Sequence, residues 1–467
     1  MTDYQLFIDG RQVPGDLTLD VINPATEQVL ARCARASKAQ LDAAVAAARR
    51  AFPGWRDTPV AQRRAALAAI ADRLEAHADE LGRLLTSEQG KPFADARGEI
   101  VGSAAYFRHY ARVEMPVEVI EDSPNRRVEL HRVPLGVVGA IVPWNFPMIL
   151  LAFKLPPALL TGNTVVLKPA ATTPLTSLRF AALIADLLPP GVFNVITDAN
   201  DLGAEMTAHP DIRKISFTGS TETGKRVMAG AAPTLKRVTL ELGGNDAAIV
   251  LPDADPKEVA GKIFKAAFAN SGQVCIAIKR VYVHESLYDA VCIELARLAD
   301  AAVVGDGLED GTQYGPVQNR AQYEKLKALL ADARQQGRVI AGGYALERAG
   351  YFIRPTIVRD IAEGTRLVDD EQFGPVLPVL RYSDVDEAVA RANASPYGLG
   401  SSIWSRDLDQ AAAVATRIDA GTVWINKHRE LSPAIPFGGS KWSGVGTELG
   451  EYGIEEFTQV KVINMAR

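Results

Sequence analysis

Short apolar runs separated by segments of helical spacing set what this chain can fold into. Residues 137–143 and 164–169 are nearly unbroken hydrophobic stretches, and 191–196 and 212–217 follow them. A strand that is apolar at successive positions has to be covered on both faces, which a parallel sheet between helices provides. Residues 175–188 and 202–208 supply helices between the runs, and 39–52 and 61–85 are alanine-rich and amphipathic upstream. The alternation resumes after Asn245 with residues 247–251. The pattern predicts an α/β chain with two parallel-sheet domains, and 467 residues suffice for two or three large cores.

Other segments fall outside this alternation. A hairpin is expected at Asp9-Gly10. Residues 117–133 read as a second hairpin turning at Asp122-Ser123-Pro124-Asn125, and residues 460–464 as a tail strand. These two excursions are candidate subunit contacts. The most apolar stretch, 133–160, is interrupted by Pro134, Pro143, Pro147, Pro156 and Pro157 and contains Lys154, so no membrane span is expected. A net charge of −5 is too weak to imply nucleic acid or an anionic membrane as partner. The N-terminus lacks the basic start and apolar segment of a signal peptide, and a cytoplasmic protein is expected.

Three cysteines give no disulfide framework and fit a reducing compartment. Cys292 recurs with Leu287, Val291, Leu295 and Leu298 at helical spacing and reads as packing. Cys33 reads as a strand residue without a partner. Cys275 differs, because Asn270-Ser271-Gly272-Gln273 before it is a polar, turn-prone run rather than a core-facing element. Glu241 lies upstream beside Gly243 and Gly244. A thiol and a carboxylate, each next to glycines that permit close approach, read as a nucleophile and a base.

Phe217-Thr218-Gly219-Ser220 leaves a strand and opens a helix, with Gly224 completing a loop. That is either an anion site at a helix start or a tight turn without a ligand. Lys168 ends a buried strand, where a cation either meets a ligand or snorkels to solvent. Neither segment decides the matter alone.

Eight segments in order do. They are Pro143-Trp144-Asn145-Phe146-Pro147, Lys168-Pro169-Ala170, Phe217-Thr218-Gly219-Ser220 and Glu241-Leu242-Gly243-Gly244. Gly272-Gln273-Val274-Cys275, Glu371-Gln372-Phe373-Gly374-Pro375, Pro436-Phe437-Gly438-Gly439 and Ser443-Gly444-Val445-Gly446 complete the set. Together they resemble the aldehyde dehydrogenase superfamily over nearly the whole chain, in its hydrolytic, non-CoA-acylating form. The resemblance implies two Rossmann-like domains, one binding cofactor (1–112 and 135–243) and one catalytic (244–442). An oligomerisation element (113–134 and 455–467) is implied as well, with the tail strand extending another subunit's sheet in a homodimer or homotetramer.

The resemblance also implies roles. Cys275 adds to the aldehyde, Asn145 and the Cys275 N–H meet the oxyanion, and Glu241 activates the water that hydrolyses the thioester. Lys154 and Glu448 match a proton route from that base. Lys168, Gly219, Ser220, Glu371 and Phe373 match cofactor contacts, with Pro143, Trp144 and Gly243 completing the set. NAD-preferring members often carry Glu just after Lys-Pro-Ala. Ala171 stands there in this chain, so the implied cofactor is NAD or NADP. Phe146, Phe153, Ala269, Ile276 and Phe437 match an apolar aldehyde tunnel suited to an aliphatic or aromatic aldehyde. Arg108, His109, Lys427, His428 and Arg429 are either tunnel-mouth cations for a semialdehyde carboxylate or scattered surface charges. The alternatives are a CoA-acylating member and a non-catalytic binding relative. Glu241 favours water as acyl acceptor, and none of the six histidines sits in a segment that marks a Cys–His hydrolase.

Overall fold

The computed structural model describes residues 4–467. One sheet has eight strands, in the order Arg11–Val13, Leu6–Ile8, Phe193–Val195, Thr164–Lys168, Val137–Ile141, Ile212–Thr218, Arg237–Glu241 and Gly444–Val445. The inner five are parallel, and the edges are added antiparallel. Val137–Ile141 and Thr164–Lys168 are buried at every residue, which is why their sequences are so uniformly apolar. Successive residues face opposite ways. Val138 and Ala140 pack with Met148 and Leu151 of the helix Pro147–Leu160, while Val137 and Ile141 pack with Leu41 and Val45 of Lys38–Asp57.

The second sheet has seven strands, ordered Arg338–Ala341, Thr356–Arg359, Val376–Tyr382, Ile278–His284, Asp246–Val250, Gly400–Trp404 and Thr422–Ile425. All neighbours run parallel except the first pair. Ala247 and Ile249 enter one core while Ala248 and Val250 enter another. The two doubly covered parallel sheets are the expected α/β architecture. The first hairpin also forms as read, with positive φ at Asp9 and Gly10 and Ile8 opposite Arg11.

Three boundaries differ from expectation. Residues 61–85 are not one helix but two, Val60–Ala76 and Ala78–Gln89, broken at His77 (φ −110°, ψ 19°). Both pack on Phe93–Tyr110, and the apolar spacing is alike on either side, so sequence shows no break. The helix expected over 175–188 ends at Leu183, whose carbonyl is taken by Arg73 before Pro189 and Pro190. The tail strand Thr458–Ala466 pairs residue for residue with Arg126–Pro134 of its own chain, which also pairs Glu118–Asp122. It is longer than the expected 460–464 and forms the outer strand of this trio, paired on one side only among the described residues.

Arg126–Pro134 is the middle strand of this antiparallel trio, and a two-stranded hairpin alone is marginal in water. Deleting residues 459–467 is expected to speed proteolytic cleavage within 118–134 by about tenfold or more, the signature of lost local protection. Mass spectrometry of a limited-proteolysis time course checks it; an unchanged rate would show that the hairpin is stable without its third strand.

Candidate active site

Cys275 follows a distorted turn, Ala269–Gly272, in which Asn270 (φ 48°), Ser271 (φ 55°) and Gly272 (φ 74°) are successively left-handed. Non-glycine residues adopt this conformation at a cost of about 1–3 kcal/mol each and keep it only where neighbours over-determine it. Here Ser271 Oγ donates to Gly315 O (2.7 Å), Gln273 Nε2 to Asn270 O (2.9 Å), and Gln318 N to Gln273 Oε1 (2.8 Å). Gly272 is required, since a Cβ there would lie 2.2 Å from Gly374 O. Burial pushes the Cys275 thiol up to about 12; Lys279 opposes this, while Glu241, Glu371 and Asp246 add to it. Lys279 Nζ donates to Val274 O (3.0 Å) and Cys275 O (2.5 Å), fixing the segment from below.

Asn145 sits between the strand Val137–Ile141 and the helix Pro147–Leu160. Its side-chain amide donates to Gln273 O (3.0 Å), leaving one N–H for the cavity. The Cys275 N–H donates to no group of the described chain. Two unspent donors therefore belong to residues that line one cavity. Sequence reading missed what holds Asn145. Its backbone carbonyl accepts from Lys91 Nζ (2.9 Å) and Asn270 Nδ2 (3.0 Å). Buried Lys91 also pairs with Glu99 (2.5 Å), and Glu99 Oε1 accepts from Met148 N and Ile149 N at the start of the helix. Nothing in the local composition around Lys91 or Glu99 marks either.

Glu241 ends the strand Arg237–Glu241. Its two carboxylate oxygens are buried without a hydrogen bond to the chain. Burial first, and repulsion from Glu448 second, push this carboxyl well above the ordinary range, with Lys154 opposing. Lys154 and Glu448 form a buried ion pair at 2.5 Å, and Ser216 Oγ donates to Glu448 Oε1 (3.4 Å). Phe437 and Glu448 exchange backbone hydrogen bonds of 2.7 Å each, so a tunnel residue and a member of this network share one bridge.

These groups open into one cavity of about 290 Å³. Asn145, Phe146, Phe153, Glu241, Cys275, Ile276, Phe437 and Glu448 all line it, while Lys154 lies behind Glu448. Tyr106, Ile149, Leu150, Val274 and Leu431 complete an apolar sleeve that sequence reading did not name. Ala269 does not line it and packs against the core instead. Of the five cations considered at the mouth, Arg108 is held by Asp72 and Glu75, and His109 faces a different cavity. Lys427 pairs with Glu430, and His428 is buried against Asp246 and Ile276 O. Arg429 alone of the five reaches the 290 Å³ cavity.

The residues matched to a cofactor come from strand ends and the loops that follow them. Pro143 and Trp144 leave the carboxyl end of Val137–Ile141, and the Trp144 ring meets Phe373 edge-on at 5.4 Å. Gly219 and Ser220 precede the helix Thr221–Ala231, where Ser220 Oγ accepts from Thr223 N (3.3 Å). Glu371 Oε1 accepts from Gly244 N (3.0 Å), and a Cβ at Gly243 would come 2.5 Å from Glu371 Oε2. Gln322 and Lys325 hold the carbonyls of residues 371–373. Lys168 donates to Asp198 (2.8 Å), a partner 30 residues on that sequence reading did not foresee. Ala171 and Arg320 share a separate cavity of about 550 Å³ with Trp144. Helix-start N–H groups, a carboxylate, an ammonium and two aromatic edges together suit a dinucleotide: anion, ribose hydroxyls and flat ring.

Comparison with known proteins bears on the family. Residues 12–463 match the aldehyde dehydrogenase family. A mitochondrial aldehyde dehydrogenase of Leishmania tarentolae is 42% identical over 99% of this chain and 95% of its own. The phenylacetaldehyde dehydrogenase of Pseudomonas fluorescens is 41% identical over 99% of this chain and 96% of its own. A crystal structure of betaine aldehyde dehydrogenase from Staphylococcus aureus, in complex with NAD+, superposes with a TM-score of 0.96 at 32% identity, covering 99% of this chain and 94% of that one. A full-length match, a shared fold and a half-buried thiol lining one cavity with a carboxyl lead to one conclusion: the chain belongs to the aldehyde dehydrogenase family.

Proposed function

We propose that Cys275, Glu241 and Asn145 carry an NAD(P)-dependent oxidation of an aldehyde to a carboxylic acid. The observation that carries the reading is that one apolar cavity collects a thiol, an oxyanion donor and an unpaired buried carboxyl. The Cys275 S–H adds across the aldehyde carbonyl, and the developing oxyanion meets the free Asn145 N–H and the Cys275 N–H. A bound dinucleotide would accept the former aldehyde hydrogen with its electron pair, as hydride, while the hemithioacetal O–H proton is released to water and the thioester carbonyl forms. Glu241 takes a proton from the water that attacks the Cys275 thioester, and the acid leaves. The Lys154–Glu448 pair offers that proton a path onward. Lys168, Gly219, Ser220, Glu371, Phe373, Trp144, Pro143 and Gly243 are assigned to the cofactor, and Phe146, Phe153, Ile276 and Phe437 to the substrate.

At least a homodimer is part of the proposal, because the hairpin and tail expose Val119, Ile120, Val460 and Val462. Three free cysteines support a reducing compartment such as the cytoplasm. No helix among the described residues is long and apolar enough to cross a membrane.

Cys275→Ala is expected to abolish oxidation while retaining cofactor binding by calorimetry. Glu241→Gln is expected to give a burst of NAD(P)H and then slow turnover, with an acyl adduct on Cys275 by mass spectrometry. Equal losses of burst and steady state would move Glu241 to an earlier step.

The raised Glu241 carboxyl predicts a direction for pH dependence. Hydrolysis needs the ionised base, so its rate climbs as pH rises through the Glu241 pKa. Glu448 adds to the elevation and Lys154 opposes it. Glu448→Gln should therefore move the acid limb of deacylation, measured on preformed acyl enzyme, to lower pH, and Lys154→Met should move it higher. Shifts in the opposite sense would remove Glu241 as the titrating group.

NADP is expected to be used at a measurable rate, because Ala171 offers no carboxylate to repel a 2′-phosphate. Ala171→Glu should raise the NAD over NADP ratio of kcat/KM by gaining charged hydrogen bonds to the ribose, about 1–3 kcal/mol at most. A ratio that does not rise would place Ala171 outside the ribose contact.

A further inference from the structure

A half-buried guanidinium without an acceptor among the described residues stands in the wall of the substrate cavity. Arg429 lines it with Cys275, Leu431 and Phe437, and makes no hydrogen bond or ion pair with any described group. Asp95 influences it from beyond ion-pair distance, and burial is the larger effect on the arginine. Its neighbours are all engaged: Lys427 with Glu430 at 2.9 Å, and His428 with Ile276 O at 3.0 Å. The backbone presents Arg429 deliberately. Its φ is 65°, a left-handed conformation that an arginine adopts only where the loop imposes it. The loop is pinned on both sides, by Asn426 Nδ2 on Ser405 O (2.7 Å) and by Trp424 Nε1 on Glu430 O (3.1 Å).

A cation partly withdrawn from water gains from an anion that meets it, and a planar guanidinium matches a carboxylate in bidentate geometry. The nearby cavity wall offers Phe146, Phe153, Leu150 and Phe437, while the carboxyl of Glu448 is already paired with Lys154. We propose that Arg429 selects aldehydes bearing a carboxylate at the end remote from the carbonyl, carried on an apolar aliphatic or aromatic body. The ligand thus supplies the counter-ion that the fold withholds. This rests on the reading of Cys275 as the nucleophile and of the cavity as the aldehyde site.

The test compares matched substrates, hexanal with 6-oxohexanoate, and benzaldehyde with 4-formylbenzoate and its methyl ester. Wild-type enzyme is expected to favour the acids in kcat/KM. Arg429→Gln should lower the acid-to-neutral ratio by about 10- to 100-fold, mainly through KM, with partial recovery in Arg429→Lys. Preference for the neutral members in wild type, or an equal fall for both in Arg429→Gln, overturns the proposal. If wild type oxidises neutral aldehydes in a Cys275-dependent way without favouring acids, only the Arg429 inference fails. If it oxidises no aldehyde of either kind, the underlying reading fails and takes this inference with it.

Discussion

Removal of ionisable groups from water governs this site. Glu241 is buried and Cys275 half-buried, so both lose part of the solvation that would stabilise their charged forms and both are held toward protonation. A thiol that stayed ionised in an open cleft would react with any electrophile. One held toward the neutral thiol reacts less freely with stray electrophiles. The same dry surroundings strengthen every dipole aimed at the reacting carbon, including the Asn145 amide and the Cys275 N–H.

That environment has to be rigid, and its rigidity comes from residues that touch no substrate. Lys91 ties the Asn145 carbonyl to Glu99, and Glu99 in turn caps the helix that carries Lys154. Lys279 holds the carbonyl of Cys275 on one side and lies 3.6 Å from Glu371 on the other. A buried pair of this kind contributes little net stability, but removing one partner strands a charge. Its contribution is geometric, since two ends of the reaction are fixed to one frame.

What the sequence made legible divides by distance along the chain. Cys275, Glu241 and Asn145 stand in short segments whose composition is odd for a core, and the structure gathers all three into one cavity. The alternation of apolar runs and helices gave both sheets because burial on two faces leaves a local mark. Lys91, Glu99, Lys279 and Gln322 left none: each acts on a residue far away or through a backbone carbonyl, which any side chain presents. Lys168 was visible as a cation, but its partner Asp198 was not. The tail strand was visible as a strand, while its pairing with Arg126–Pro134 follows from topology alone.

The backbone bridge between Phe437 and Glu448 ties two properties that evolution would otherwise vary separately. Phe437 shapes the space for the substrate, and Glu448 sets the charge felt by Glu241. A change at Phe437 that shifts its backbone carries the bridged Glu448 with it, and so the electrostatic setting of the base. New substrate ranges are therefore reached more freely at Leu150 or Leu431, lining residues that carry no charge and share no backbone bridge with Glu448.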